Sequence, residues 1–344
     1  MSTAVQELAI IGSLTHGFAR SPRQINALHE SDAELLTIGN GLTLAVTTDT
    51  VAEEIATGLY ADPWLAGWMA VMVNFSDIAA VGADPLGIVM AEVFPAGASS
   101  GTIAKIQRGI SDACNACRSF VLGGDTNTGE ALVLGGTAIG LFSATTPLTR
   151  RGIRPGDRVY CTGAMGSGNA FAALMLAGKS GTIPYAPVAR VREGAALRGR
   201  ATACMDTSDG LLATLDQLGR LNGVGIDLDA GWLSAVDPRA IACGTATGLP
   251  PWLFLAGPHG EFELVFTVRG DGTPREQLEA AGTTCLYLGE VVEGDRIRIP
   301  GVGTFSPDQR AAIRNLPVPS SGTVDAYVAQ VLQIRDSARE STAS

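Results

Sequence analysis

The stretch VNFSDIAAVGADPLG, residues 73–87, places one carboxylate, Asp77, in the most apolar part of the chain. From Phe75 to Val81 the other residues are apolar or small, and the apolar run 63–82 predicts a helix that is buried on most of its faces. An unpaired ionised carboxylate is costly to bury, so such a residue usually caps an element, pairs with a cation or binds a metal ion. The rest of the sequence decides which of these three roles Asp77 has.

The composition describes a globular protein that is long enough for two domains. The chain has 344 residues, of which 46% are hydrophobic and 17% are charged, with 43 Gly and 17 Pro. These values are typical of compact, turn-rich α+β or α/β packing and unlike those of a coiled coil or a disordered chain. A net charge of −10 argues against nucleic acid as the principal partner, because that partner requires a basic surface.

The sequence predicts a cytoplasmic protein that does not enter a membrane. No stretch reaches the roughly 20 apolar residues that are needed to cross a bilayer. The N-terminus MSTAVQELAIIGSL has neither a basic region nor a cleavage pattern. The six cysteines are scattered, which favours reduced thiols in the core over disulfides. Cys114 and Cys117 form a C-x-x-C pattern on a predicted helix, where we expect them to pack and not to bind a metal.

The order of predicted elements divides the chain near residue 148. We expect an N-terminal domain over 1–148, a C-terminal domain over 149–335 and a polar tail over 336–344. The N-terminal domain is predicted to contain helices at 5–20, 63–82 and 101–118, strands at 41–51 and 130–143, and a short strand that breaks into the glycine turn GGDTNTG. The C-terminal domain is predicted to contain a strand, glycine loop and helix in RVYCTGAMGSGNAFAALMLA, helices at 187–202, 209–222 and 322–336, and strands at 225–229, 263–268, 285–291 and 295–299.

Six aspartates share one kind of position, at the junction between an apolar element and a polar turn. They are Asp32, Asp49, Asp77, Asp125, Asp206 and Asp209. Carboxylate oxygens are the hard ligands that Mg²⁺ prefers, commonly together with substrate phosphates. Asp and Thr are also frequent in turns and N-caps, so Ser208 or Asp209 could simply cap the helix that follows. Six such residues, one of them inside an apolar helix, favour a metal site.

Two glycine loops and one arginine offer places for phosphate. GGDTNTG and TGAMGSGNAF could present backbone N–H groups, the second at a helix N-terminus. Neither loop is a Walker A motif or a G-x-G-x-x-G motif after a strand, so each is a weak signal alone. Arg150 lies at the domain boundary, where its guanidinium could reach a phosphate.

A resemblance to a known family is carried by an ordered set of motifs. They are TTDT, VNFSDIAAVGADPLG, LGGDTNTG, LTRRGIRPGDRVYCTG, PVAR, MDTSDGLLATLDQL, GEFELVFTV and LGEV, and they span most of residues 30–291. The set resembles the ATP-dependent aminoimidazole ribonucleotide synthetase-like (PurM-like) superfamily, and within it most closely the thiamine-monophosphate kinases. The resemblance implies a two-domain α+β fold, in which the N-terminal β-sheet domain forms a barrel at a homodimer interface and the C-terminal domain is α/β. It also implies that ATP and Mg²⁺ bind in a cleft between the domains.

The resemblance assigns roles position by position. Metal ligands are implied at Asp32, Thr47, Thr48, Asp49, Asp77, Asp125, Asp206 and Asp209. Nucleotide contacts are implied at Gly123, Gly124, Asp125, Thr126, Arg150 and Ser208. The predicted catalytic residues among them are Asp77, Asp125 and Asp209. The predicted acceptor positions are Ala56, Glu261, Glu263 and Tyr327, of which the last three could compensate for a substrate contact that is lost at Ala56.

The departures from the family pattern concern mainly the acceptor. One acidic position is lost, because the chain has Glu30–Ala33 (ESDA) where the family usually has Gly-Asp-Asp-Ala. A substrate-contacting His is replaced by Ala56, and Gly-Gly-Glu-Asp-Tyr-Glu becomes PHGEFE at 258–263. We therefore predict an ATP- and Mg²⁺-dependent phosphotransferase that acts on a small, phosphorylated metabolite. An ATP-dependent cyclo-ligase and a catalytically silent nucleotide-binding protein are the alternatives.

Overall fold

The computed structural model describes residues 5–143, 145–178, 183–270, 275–280, 282 and 284–340. The described residues form two units, each built on one β-sheet. The N-terminal unit consists of α1 (Gln6–Thr15), β1 (Glu34–Gly39), β2 (Leu42–Thr50), α2 (Ala52–Ala56), α3 (Pro63–Ala80), β3 (Asp84–Pro95), α4 (Ser100–Ala116), β4 (Val121–Gly129) and β5 (Val133–Ser143). The C-terminal unit consists of β6 (Arg158–Cys161), α5 (Ser167–Leu176), α6 (Val191–Leu197), β7 (Ala203–Asp206), α7 (Leu211–Asn222), β8 (Gly225–Leu228), α8 (Pro238–Thr247), β9 (Leu264–Val268), α9 (Arg275–Ala280), β10 (Leu286–Val292), β11 (Ile297–Ile299), β12 (Gly303–Phe305), α10 (Pro307–Arg314) and α11 (Val324–Glu340).

The N-terminal sheet is open. Its strand order is β1-β2-β5-β3-β4, with β3 and β4 parallel and the other pairs antiparallel. β4 is an edge strand, and its residues up to Thr128 are exposed. The described residues of this single chain therefore form no closed barrel, and the barrel expected from the resemblance is not present within one copy.

Helix α3 positions Asp77 between the two units. The helix begins where the Asp62 side chain accepts a hydrogen bond from the Trp64 N–H and Pro63 occupies the first turn, a position that suits its missing N–H. It packs on β2, β5 and α4 of its own unit and on α6 and β7 of the other. The predicted helix over 63–82 is thus observed at Pro63–Ala80, buried on most faces as its apolar sequence predicts.

The C-terminal unit is a seven-stranded sheet of order β12-β11-β8-β10-β6-β9-β7. One hydrophobic cluster lies within this unit, and a second runs from α3 across to β9 through residues such as Phe75, Leu264 and Phe266. The last two helices, α10 and α11, pack on each other and on β12. The two units therefore share packed side chains along α3.

The predicted local structure differs from the observed structure at several places. The glycine turn predicted in GGDTNTG is part of strand β4, which pairs with β3 as far as Gly129. A Cβ on Gly124 would lie 2.2 Å from the Met90 carbonyl oxygen, so this glycine permits a close approach of strands and does not make a turn. The elements that were not predicted are strands β1, β3, β7 and β12 and helices α2, α8, α9 and α10. α11 continues to Glu340, so residues 336–340 of the expected tail are helical, and residues 341–344 lie outside the described part of the chain.

Candidate active site

A cleft of about 430 Å³ lies between the two units. β2, α3 and the segment before β1 form its N-terminal side, and the β7–α7 connection and residues 258–262 form its C-terminal side. The predicted site residues that line it are Asp32, Thr47, Thr48, Asp49, Asp77, Arg150, Asp206, Ser208 and Asp209. Residues that are far apart in sequence are thus brought to one cavity.

Three carboxylates converge at the floor of the cleft. Asp32, Asp77 and Asp206 each offer one oxygen atom, and these atoms lie within 4.8 Å of one another. Asp32 lies just before β1, Asp77 lies in the last turn of α3, and Asp206 ends β7. The trio therefore depends on how α3 packs against both units.

Hydroxyl groups and one arginine orient the trio. The Thr47 hydroxyl donates to Asp77 Oδ2 at 2.5 Å. The Ser76 hydroxyl donates to Asp206 Oδ2 at 2.5 Å, and the Ser208 hydroxyl donates to Asp206 Oδ1 at 3.2 Å. On the other side, Arg150 donates to both oxygens of Asp32, at 3.2 and 2.9 Å. Each carboxylate thus has a fixed orientation and keeps an oxygen close to the other two.

Electrostatics make this arrangement favourable for a divalent cation. Removal from water, together with the charges of Asp206 and Asp49, raises the pKa of Asp77 well above its usual value. Removal from water and the neighbouring Asp32 raise the pKa of Asp206 to about 7. Clustered oxygen ligands that repel one another when ionised fit Mg²⁺, which takes hard oxygen ligands and would relieve the repulsion.

Asp49 and Asp209 extend the acidic wall beyond the trio. Both are exposed to the open part of the cleft, one at the end of β2 and the other after β7. The Asp49 backbone is fixed by the Asn74 side chain of α3, which accepts from its N–H at 3.0 Å and donates to its carbonyl at 3.3 Å. They could complete the coordination of further metal ions or of bound water.

The predicted nucleotide residues on β4 do not meet the trio within one chain. Gly123, Gly124, Asp125 and Thr126 are not among the described residues that line the cleft. Asp125 is exposed on the sheet edge and accepts a hydrogen bond from Asn127 Nδ2 at 2.6 Å. These residues could therefore contact a nucleotide only if it also reached the exposed β4 edge, outside this cleft.

The predicted acceptor residues lie in four different environments. Glu261 is buried and accepts from the backbone N–H of Gly166 at 2.6 Å, and burial raises its pKa to about 8. Glu263 pairs with Arg190 and accepts from the Thr162 hydroxyl at 2.6 Å. Ala56 is exposed at the end of α2, and Tyr327 lines a neighbouring cavity. Since Glu261 occupies N–H groups of the loop before α5, the phosphate site expected in TGAMGSGNAF is filled by a carboxylate of the chain.

Residues 258–262 pack directly against the β7–α7 connection. A Cβ on Gly260 would lie 1.4 Å from the Thr207 carbonyl oxygen, and the Gly260 N–H donates to the Ser208 carbonyl at 2.8 Å. Phe262, in the same segment, has a φ of 61°, which is unusual for a bulky residue. Strained backbone of this kind is frequent at functional sites.

Several residues that line the cleft were not predicted from the sequence. They are Glu7, His29, Glu54, Tyr60, Tyr185 and Arg314. His29 has a φ of 62°, and the Tyr185 hydroxyl donates to the Gly260 carbonyl at 2.7 Å. Arg314 belongs to a short amphipathic helix on which arginines look like ordinary surface residues, so its sequence carries no signal of a position in the cleft.

Comparisons with known proteins identify the family. A family model of the N-terminal domain of AIR synthase related proteins matches residues 30–142. The chain is 31% identical over 274 residues to the thiamine-monophosphate kinase of Methanospirillum hungatei, covering 79% of this chain and 89% of that protein. It is 36% identical over 247 residues to the thiamine-monophosphate kinase of Halobacterium salinarum, covering 69% and 81%. The chain belongs to the thiamine-monophosphate kinase family.

A solved structure of the family shares the fold. AaThiL complexed with AMPPCP and TMP matches with a TM-score of 0.71 and 22% identity, over 88% of this chain and 96% of that chain. The PurM-like fold predicted from the sequence is thereby confirmed. Membership of the thiamine-monophosphate kinase family also confirms the predicted ATP-dependent phosphotransferase, with ATP and Mg²⁺ as cofactors. No helix in the described ranges is long and apolar enough to cross a membrane.

Proposed function

We propose that this kinase phosphorylates a small phosphate monoester in the cleft between its two units. The observation that carries the proposal is the Asp32–Asp77–Asp206 trio, whose oxygens lie within 4.8 Å of one another on segments that match the family motifs. When bound, Mg²⁺ would neutralise and align the nucleotide phosphates. Asp32, Asp77 and Asp206 would hold it, with Asp49 and Asp209 close by.

The chain's own groups would contribute orientation and charge. Thr47 and Ser76 hold Asp77 and Asp206 in place, and Arg150 supplies a guanidinium next to the trio. Because the second pKa of a phosphate monoester is near 6, the acceptor is largely dianionic at pH 7 and needs no protein base. Catalysis would then rest on positioning and electrostatic stabilisation.

We propose that the acceptor pocket differs from that of the relatives. The chain departs from the family pattern at two places. Ala56 lies at the end of α2, and residues 258–263 lie at or near the C-terminal side of the cleft. The relatives are thiamine-monophosphate kinases, and their acceptor is therefore the first candidate to test. We expect this chain to prefer a different phosphate monoester, because a lost polar contact to a substrate costs about 1–3 kcal/mol.

We also propose that two copies form a homodimer through β4. This strand is an exposed edge, and Phe120, Val121 and Leu122 are 71%, 47% and 54% exposed at its start. An exposed apolar edge strand is a ready site for pairing with another strand. Pairing of two β4 strands would extend both sheets, as a shared barrel requires, and would bury Asp125 close to a second copy. A cytoplasmic location remains a prediction of the sequence.

The proposed reaction can be tested by ³¹P NMR of products formed from ATP and Mg²⁺ with a panel of phosphate monoesters that includes thiamine monophosphate. Transfer of the γ-phosphoryl group to one acceptor supports the proposal. Cyclisation with release of inorganic phosphate would point to the cyclo-ligase, and complete inertness to a silent nucleotide-binding protein. Asp206→Asn should abolish transfer, and Asp295→Asn, in an exposed turn outside the cleft, should leave it unchanged.

A further inference from the structure

Helix α10 brings Arg314 to the point where the cleft meets a second cavity. This cavity, of about 370 Å³, shares Glu7, Asp209, Pro258 and Arg314 with the cleft. Its volume is within the range of small-molecule pockets. Arg314, whose side chain is 10% exposed, therefore lies between two spaces that a ligand could occupy.

A buried carboxylate fixes the Arg314 side chain. Asp216 on α7 is fully buried, and its Oδ2 accepts from Arg314 Nη1 at 3.2 Å. The same nitrogen donates to Gln217 Oε1 at 3.2 Å. Asp216 also accepts from Arg310 Nε at 2.7 Å and from Arg220 Nε at 2.8 Å. One carboxylate thus binds three guanidinium groups, and it cannot neutralise Arg310 and Arg314 together.

On its cleft side Arg314 makes one distant ion pair, and the charge of Asp209 acts on it without a salt bridge among the described residues. Among the described residues, the other carboxylate that pairs with Arg314 is Glu7 of α1, whose Oε2 lies 3.8 Å from Nη2. That separation exceeds hydrogen-bond distance, and the Glu7 side chain is 63% exposed, so the pair contributes little. A guanidinium that is held on one side and loosely paired on the other is suited to bind an anion, and phosphate matches its geometry.

We propose that Arg314 binds the phosphate group of the acceptor and that Glu7 occupies this place until the acceptor arrives. This inference rests on the proposed function and adds to it a specificity residue supplied by the C-terminal helices. Arg150 is already engaged with both oxygens of Asp32, whereas Arg314 is free to exchange Glu7 for a ligand. The acceptor would enter with its phosphate at Arg314.

The walls of the second cavity suit the rest of such a molecule. Leu212, Ile313, Leu316 and Val318 provide apolar surface, and Tyr327 adds an aromatic ring. A compact organic body bonded to a phosphate would place its apolar part against these side chains and its dianion at the shared rim. The organic body would then lie in the second cavity, while the dianion at the shared rim faces the cleft, where the acidic trio and Mg²⁺ would hold the nucleotide phosphates.

The test uses the full chain, saturated with Mg²⁺ and AMPPCP, and inorganic phosphate as the probe in isothermal titration calorimetry. With the nucleotide site filled, phosphate reports on the acceptor site. Arg314→Gln should raise the dissociation constant for phosphate about 10- to 100-fold, the loss expected for a hydrogen bond to a charged group. Arg314→Lys should retain part of the affinity. The dissociation constant for AMPPCP should not change in either variant.

Glu7→Gln provides a second variant whose expected effect has the opposite sign. Because Glu7 competes with the ligand, its neutralisation should tighten phosphate binding, and its exposure means that folding is not at risk. The matched control is Arg298→Gln. Arg298 pairs with Asp227 on the C-terminal sheet, outside the cleft, and this variant should bind phosphate like the parent.

Three results would overturn the inference. They are unchanged phosphate binding in Arg314→Gln, an equal loss of AMPPCP and phosphate affinity in that variant, and weaker phosphate binding in Glu7→Gln. These results can be distinguished from a failure of the proposed phosphoryl-transfer reaction. If the parent transfers no phosphoryl group but binds phosphate through Arg314, the proposed reaction fails and the site stands. If the parent turns over and Arg314→Gln binds phosphate normally, the reverse holds.

Discussion

Replacement of Asp77 by Asn should stabilise the metal-free protein and at the same time abolish its activity. Two ionised carboxylates 4.8 Å apart repel by about 3.5 kcal/mol at an effective dielectric constant of about 20, and the oxygens of Asp77, Asp32 and Asp206 lie within that distance of one another. Asn keeps the shape of the side chain and removes its charge. We therefore expect the melting temperature of metal-free Asp77→Asn to exceed that of the parent by several degrees at pH 8.

The same substitution should remove the response to Mg²⁺. Loss of residues that only support metal ligands already costs about 10- to 100-fold in affinity, so loss of a ligand should exceed about 100-fold. Ligands that bind the native state raise its stability. Addition of Mg²⁺ and ATP should accordingly raise the melting temperature of the parent and leave that of Asp77→Asn nearly unchanged.

The assay is differential scanning calorimetry with EDTA and with Mg²⁺-ATP, combined with initial rates of phosphoryl transfer. Asp295→Asn is the control and should behave like the parent in all three measurements. A structural role for Asp77 predicts the opposite pattern, with a lower melting temperature in EDTA and a retained response to Mg²⁺-ATP. That result would refute the assignment of Asp77 to a metal site.

Three further predictions concern pH, the acceptor and assembly. Because the folded-state pKa of Asp206 is raised from 3.8 to about 7, the metal-free protein should lose stability as the pH rises from about 4 to about 7; melting curves in EDTA across this range would show it, and saturating Mg²⁺ should flatten the dependence. With Ala56 and the rewritten segment 258–263, thiamine monophosphate should be a poor acceptor, and a kcat/KM of roughly 10⁴ M⁻¹s⁻¹ or above would contradict this. Light scattering at micromolar concentration should return twice the chain mass of 35.4 kDa, and a return of the monomer mass would exclude the dimer. Leu122→Asp places a charge on the exposed edge strand and should shift the protein toward the monomer.

Much of the fold follows from local sequence patterns. The apolar run of α3, the β-branched strands β2 and β5 and the strand-loop-helix around residues 158–176 all appear where periodicity and glycines predict them. The glycine part of β4 was mistaken for a turn, because Gly124 lies there for close packing on Met90 and a sequence does not distinguish this use of glycine from a turn. A glycine that serves tertiary packing can be identified only when its neighbour is known.

A site residue could be predicted from the sequence where its burial would be costly without a partner. Asp77 stands out because a carboxylate in an apolar helix requires a partner, and the ordered motifs indicate which aspartates accompany it. Arg314 could not be found in this way, because its place in the cleft depends on Asp216 of α7, about a hundred residues earlier. Glu261 was expected at the acceptor, and its contact with the N-terminus of α5 was not foreseen, since nothing in PHGEFE reveals which N–H groups lie nearby.

Helix α3 has a consequence for how the chain folds. Its buried faces contact both sheets, and one hydrophobic cluster continues from Phe75 in α3 to Phe266 in β9. Neither half could therefore bury its apolar surface alone. The region around residue 148 divides the chain into two structural units, but we expect these units to fold together as one cooperative unit. Thermal or denaturant unfolding of the intact chain should show one transition, and a fragment that ends at residue 148 should collapse without native order. The trio of aspartates would thus assemble only when the whole chain has folded, and Mg²⁺ binding at the proposed site would report on completed folding.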